Sequence, residues 1–197
     1  MNKAVFWDKD GTLIPDIPYN VDPAQITIYP DAGESLRRLR DAGFKLIVVS
    51  NQAGVAQGRF PETALENVWH RLTELLHPFG AEPDAFYYCP HYPEGSVNAY
   101  SRSCKCRKPE PGLLLQAARE HQLDLQASWM VGDILNDVEA GNRAGCRTLL
   151  IERGNETEWL LTPNRLPTAR AKSLKEATSY ILAHEEIAAL LDQPIDV

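Results

Sequence analysis

Short apolar runs alternate along this chain with stretches in which apolar side chains recur every three or four residues. Ala4–Trp7, Phe44–Val49, Ala85–Tyr88, Trp129–Val131 and Arg147–Ile151 have strand length and are rich in β-branched and aromatic side chains. Phe44–Val49 is apolar almost throughout, as expected of a strand covered on both faces. Between the runs lie predicted helices. Asp31 to Ala42 places Leu36 and Leu39 on one face, starts on an Asp31–Glu34 capping box and stops at Gly43. Pro61 to Leu76 spaces Leu65, Val68, Trp69, Leu72, Leu75 and Leu76 at helical intervals. Pro111 to His121 carries Pro111 in its first turn, and Asn136 to Ala144 stops at Gly145. Ser173–Leu191 also reads as helical, either packed on the sheet or frayed. Strands alternating with helices imply right-handed βαβ units and an α/β, Rossmann-like, mainly parallel sheet flanked by helices.

Two long segments break the alternation, Thr12 to Pro30 and Cys89 to Pro109. Loops of that length in a compact domain are usually functional or disordered. The 197 residues are enough for one sizeable core, so a single domain over 1–197 is expected. No apolar run is long enough to span a bilayer, and the N-terminus shows no secretory pattern, so a cytoplasmic location is expected. The formal net charge of −7 argues against a nucleic-acid or acidic-membrane partner, though not against a small anionic substrate held by a local cationic cluster.

The candidate chemistry lies where strands open into loops, which is where ligands bind in such sheets. Asp8-Lys9-Asp10-Gly11-Thr12 follows the first strand. Two carboxylates one residue apart can divide labour, one attacking phosphorus and the other moving a proton; alone, the pair is equally well a polar turn. Ser50-Asn51-Gln52 ends the second strand and offers a hydroxyl and amides to phosphate oxygens. Lys108, before the third helix, can neutralise charge. Gly132-Asp133 ends the fourth strand, with Asp137 four residues on; Asp133 suits a hard cation shared with Asp8, and Asp137 a supporting role. A helix cap or solvated surface explains each of these taken singly.

Taken in order, Asp8-x-Asp10-Gly11-Thr12, Ser50, Lys108 and Gly132-Asp133-x-x-x-Asp137 resemble the haloacid dehalogenase superfamily of phosphohydrolases. The resemblance implies Asp8 as nucleophile and Asp10 as general acid and then base. It implies Mg²⁺ held by the Asp8 carboxylate, the Asp10 carbonyl and Asp133.

A second cluster has a different character. Cys89-Pro-His91 and Cys104-Lys-Cys106 supply three thiolates and one imidazole, the ligand set of a closed structural Zn²⁺ site. Its expected job is to pin the 89–109 loop, and with it Arg107 and Lys108. Cys146 stands apart as a small core residue. Tyr87 to Ser96, Cys104 to Gly112 and Val49 to Gly58 resemble the D-glycero-D-manno-heptose 1,7-bisphosphate 7-phosphatases, and in related form the histidinol-phosphate phosphatases; the resemblance covers residues 3 to 152. It implies substrate contacts at Asp16 to Tyr19, Ser50, Asn51, Gln52, Arg107 and Lys108, with Arg107 suited to a second phosphate. The loop around Asp16-Ile-Pro-Tyr19 departs from the heptose pattern, which bears on the sugar and not on the chemistry. No large cap fits between the motifs. The expected enzyme is a monomeric phosphatase acting on a small phosphorylated molecule, a sugar bisphosphate first and histidinol phosphate as the alternative. A zinc-stabilised binding module without catalysis is the competing class.

Overall fold

The computed structural model describes residues 2–191. Its strands are β1 (Lys3–Trp7), β2 (Phe44–Asn51), β3 (Ala85–Cys89), β4 (Trp129–Gly132), β5 (Arg147–Ile151) and β6 (Ala169–Ala171). The helices are α1 (Ala32–Asp41), a single turn α2 (Ala53–Ala56), α3 (Ala64–Leu76), α4 (Gly112–His121), α5 (Leu135–Ala144) and α6 (Leu174–Leu191). All six strands form one sheet in the order β3-β2-β1-β4-β5-β6, and every pairing is parallel. This is a Rossmann-like sheet of the expected class. None of the described helices is long and apolar enough to cross a membrane.

The two-residue repeat of the strands sorts the core into two layers. Val5, Trp7, Leu46, Val48, Trp129 and Val131 face one way and pack against α1, α3 and α6. Ala4, Phe6, Ile47, Val49 and Met130 face the other way, against α4 and α5. Burying each large apolar side chain is worth about 1.5–3 kcal/mol, so the central strands are the most firmly held part of the molecule.

Several local expectations need correction. Asp31 makes no side-chain cap on α1; its carboxylate accepts from the Lys175 amide at 3.0 Å and joins the start of α6 to α1. α3 begins at Ala64 rather than Pro61, which lies in a preceding turn. Pro111 is the cap of α4 rather than part of its first turn. Strand β6 was not expected: three residues give too little alternation to read, and its place is fixed by pairing with β5. α6 packs on α1, β5 and β6, with Leu174, Ala177, Thr178 and Ile181 buried. Gly43 and Gly145 end their helices in the left-handed region, at φ 84° and 90°, as their spacing foretold. The 89–109 loop contains no helix or strand after Cys89.

Candidate active site

β1 lies between β2 and β4, so the residues that leave the C-terminal ends of these strands converge. Asp8 follows β1, and its amide donates to the Val131 carbonyl at 2.9 Å. Asp133 follows β4, and Ser50 is near the end of β2. Oxygens of Asp8, Asp133 and Asp137 lie within 4.8 Å of one another, and all three side chains are buried. Lys108, also buried, crosses from the cysteine-rich loop. Its Nζ lies 2.5 Å from Asp8 Oδ1 and 2.6 Å from Asp137 Oδ1, and it donates to the Val49 carbonyl at 3.0 Å.

Glycines set the close approaches. Gly11 has φ +82°, and a Cβ there would stand 2.1 Å from Asp133 Oδ2. A Cβ on Gly132 would stand 2.3 Å from the Asp137 side chain. The strand ends must therefore be glycine for the carboxylates to draw together.

One ammonium cannot balance three buried carboxylates. Burial raises the Asp8 carboxyl well above its ordinary range, against the pull of Lys108, and Asp137 and Asp133 push it further. Burial, reinforced by Asp137, raises Asp133 to about 6. Burial works against the Lys108 ammonium, but Asp137 and Asp8 more than offset it and hold its pKa above the usual value. A site with excess buried negative charge and hard oxygen donors fits a divalent cation such as Mg²⁺. Asp137 is already engaged, with Lys108 on one oxygen and the Ile134 amide 3.3 Å from the other, which agrees with a supporting role.

Asp10 stands at the mouth. Its Oδ1 accepts from Lys9 at 2.5 Å, and its Oδ2 accepts from Gln52 Nε2 at 3.0 Å. The Gln52 amide also reaches Ser50 Oγ at 2.7 Å. Asn51 faces Lys108: its Nδ2 donates to the Lys108 carbonyl and its Oδ1 accepts the Lys108 amide, both at 3.0 Å. Both ends of that amide hold the Lys108 backbone, while Asn51 also lines the cavity.

Three cavities meet here. The central one, about 180 Å³, holds Asp8, Asp10, Ser50, Lys108 and Asp133. A second, about 230 Å³, shares Asp10, Asp16 and Asn51 with it and extends to Tyr19. Tyr19 sits at φ 57° with its ring 5.3 Å from the Arg59 guanidinium. A third, about 240 Å³, adjoins the first through Lys108 and is lined by Arg102, Arg107 and Asn136. Arg107 lies 5.1 Å over the Tyr92 ring, and its Nη1 is buried without an acceptor. A buried cationic N–H with no partner suits an anion.

The sulfur cluster is equally compact. Sγ atoms of Cys89, Cys104 and Cys106 are 3.1 to 3.5 Å apart, and His91 Nδ1 is 3.3 Å from Cys106 Sγ and 3.7 Å from Cys89 Sγ. Zn–S bonds of about 2.3 Å in a tetrahedron need sulfurs only about half an ångström further apart, so these four donors fit Zn²⁺. Cys146 is buried elsewhere, and burial pushes its thiol up to about 12.

Four residues of the site escaped the sequence reading. Lys9 and Thr12 lie within the first motif, where only the carboxylates and the glycine carry a chemical signal; Thr12 Oγ1 donates to Asp133 Oδ1 at 3.0 Å. Arg102 Nη2 lies 2.7 Å from His91 Nε2 and reads locally as loop surface. Asn155 donates to Asp133 Oδ2 at 2.7 Å from beyond β5, in a segment with no motif of its own.

Comparison with known proteins agrees with this geometry. A family model described as HAD-hydrolase-like matches residues 105–177. The D-glycero-beta-D-manno-heptose-1,7-bisphosphate 7-phosphatase of Escherichia coli (strain K12) is 36% identical over 184 residues, covering 88% of this chain and 96% of that protein. The protein of the same name from Pasteurella multocida is 39% identical over 155 residues, covering 78% and 84%. Among solved structures, D,D-heptose 1,7-bisphosphate phosphatase from B. bronchiseptica, complexed with magnesium and phosphate, superposes with a TM-score of 0.76 at 27% identity, covering 92% of this chain and 99% of that one.

Proposed function

This chain belongs to the family of D-glycero-beta-D-manno-heptose-1,7-bisphosphate 7-phosphatases, and from that membership we propose that it removes the 7-phosphate of such a heptose bisphosphate by way of an aspartyl-phosphate on Asp8. The observation that carries the reading is the buried Lys108 ammonium, held against Asp8 and Asp137 beside the cavity that Asp10 lines.

Asp8, Asp133 and the Asp10 carbonyl would hold Mg²⁺, which supplies neutralisation of the phosphate oxygens when bound. Lys108 adds a second positive charge, so an anionic carboxylate can approach an anionic ester. An Asp8 oxygen attacks phosphorus as the bond to the sugar 7-oxygen breaks. That oxygen leaves with the electron pair and takes the Asp10 proton. Asp10, now a carboxylate, takes a proton from water whose oxygen attacks phosphorus. The bond to Asp8 breaks, and inorganic phosphate leaves. Lys9 and Gln52 fix the Asp10 carboxyl, while Gln52 and Ser50 face the phosphate.

The second phosphate belongs with Arg107, which lines the neighbouring cavity beside Arg102 and carries a buried Nη1 with no acceptor. Asp16 and Tyr19 border the opposite cavity and contact the sugar. Zn²⁺ on Cys89, His91, Cys104 and Cys106 serves structure, because four protein ligands leave no open position. The whole acts as one domain, since its single sheet draws strands from both ends of the chain.

The test is a kinetic panel of both heptose bisphosphate anomers, the heptose 7-phosphate and histidinol phosphate. A bisphosphate should exceed the 7-phosphate in kcat/KM by about 10²-fold, the worth of a buried charged pair. A preference for histidinol phosphate would overturn the substrate assignment while leaving the aspartyl chemistry intact.

A further inference from the structure

Asp133 is held by two side chains from different parts of the fold. Thr12 donates to Oδ1 from the loop after β1, and Asn155 donates to Oδ2 from the loop after β5. A carboxylate offers about four lone-pair positions, so two remain for a cation while two fix its plane. The second donor is placed by a turn. β5 ends at Ile151, Gly154 takes φ +85°, and the chain folds back so that Asn155 lies over Gly11 and Asp133. The next residue secures that turn. Glu156 Oε2 accepts the Leu135 amide at 2.5 Å at the start of α5, where Ile134 has no side-chain oxygen to cap the helix. Its Oε1 accepts the Glu158 amide at 2.6 Å. Asn155 also lines the central cavity itself.

We infer that Asn155 is a positioning residue for the cation site, orienting Asp133 for Mg²⁺ from a loop outside the motifs that carry the reaction. Glu156 anchors that loop to α5. The inference rests on the magnesium reading above. Groups that orient a metal ligand typically matter 10–100-fold in metal affinity.

The experiment measures binding of Mg²⁺ alone to the full chain, by calorimetry and by Mg²⁺-dependent thermal stabilisation, for the wild type, Asp133→Asn, Asn155→Ala and Asn155→Leu. Asn155→Ala should weaken Mg²⁺ binding about 10–100-fold. It should raise the Mg²⁺ needed for half-maximal turnover by the same factor. Asn155→Leu keeps the bulk and removes the donor, so it should behave like Ala. Wild-type Mg²⁺ affinity in either variant would overturn the inference, and if Ala fails to fold, Leu alone decides. A wild type whose Mg²⁺ binding survives Asp133→Asn would instead take down the magnesium reading, and this inference with it.

Discussion

The two candidate metal centres are built in opposite ways. The carboxylate cluster hangs from the ends of β1 and β4 and the first turn of α5, so regular elements bring Asp8, Asp133 and Asp137 together. Of the sulfur cluster only Cys89 belongs to a strand; His91, Cys104 and Cys106 sit on loop. The first site exists because of the fold, and its cation relieves a charge imbalance. The second would act as a fastening, an ion on its four donors standing in for a core that the loop lacks. One is open for chemistry and the other closed for shape. They meet at Arg107 and Lys108, the two residues after Cys106.

The strongest break of this contrast is Asp8→Asn. It should lower turnover by at least about 10⁴-fold, with zinc content and fold unchanged. Full activity in that variant would remove the nucleophile, and zinc loss would show the two centres to be one structural unit. Next in size is zinc removal, by Cys104→Ser or a chelator. The sheet should persist while the 92–103 segment becomes open to proteolysis, and kcat/KM should fall about 10²-fold as Arg107 and Lys108 lose their places. Resistance of the loop to protease after verified zinc loss would refute the fastening role.

The smallest expected effect is on pH and stability. Without metal, the folded-state pKa of Asp133 is raised to about 6 from 3.8. The folded chain then binds more protons than the unfolded one between those values. The contribution is present below about pH 4 and lost as pH rises through 6. Metal-free wild type should therefore lose stability relative to Asp133→Asn over that window, on the order of 3 kcal/mol, and Mg²⁺ should close the gap. A flat difference in denaturation curves would show that the cluster is relaxed without a cation.

The candidate catalytic motifs are legible because each sits at a strand end, where a short local pattern of Asp, Gly and a preceding apolar run coincides with a position in the sheet. Asp8, Asp133 and Lys108 needed no knowledge of strand order. Asn155 and Arg102 did. Their roles come from the pairing of β5 with β4 and from the folding back of the loop onto His91, and neither leaves a trace in neighbouring residues. Asp31 failed in the opposite direction: its local cap pattern was sound, and a tertiary partner, the Lys175 amide, took its carboxylate.

The central place of β1 has a consequence for how the molecule breathes. Local opening begins where neighbours are few, and here that means β3 and β6 at the two margins of the sheet. Cys89 lies on one margin, and β6 pairs with the strand that leads to Asn155 on the other. Val5, Phe6 and Trp7 are fully enclosed, with a strand on each side. Opening that starts at the margins would therefore reach the strand that leads into Asp8 last.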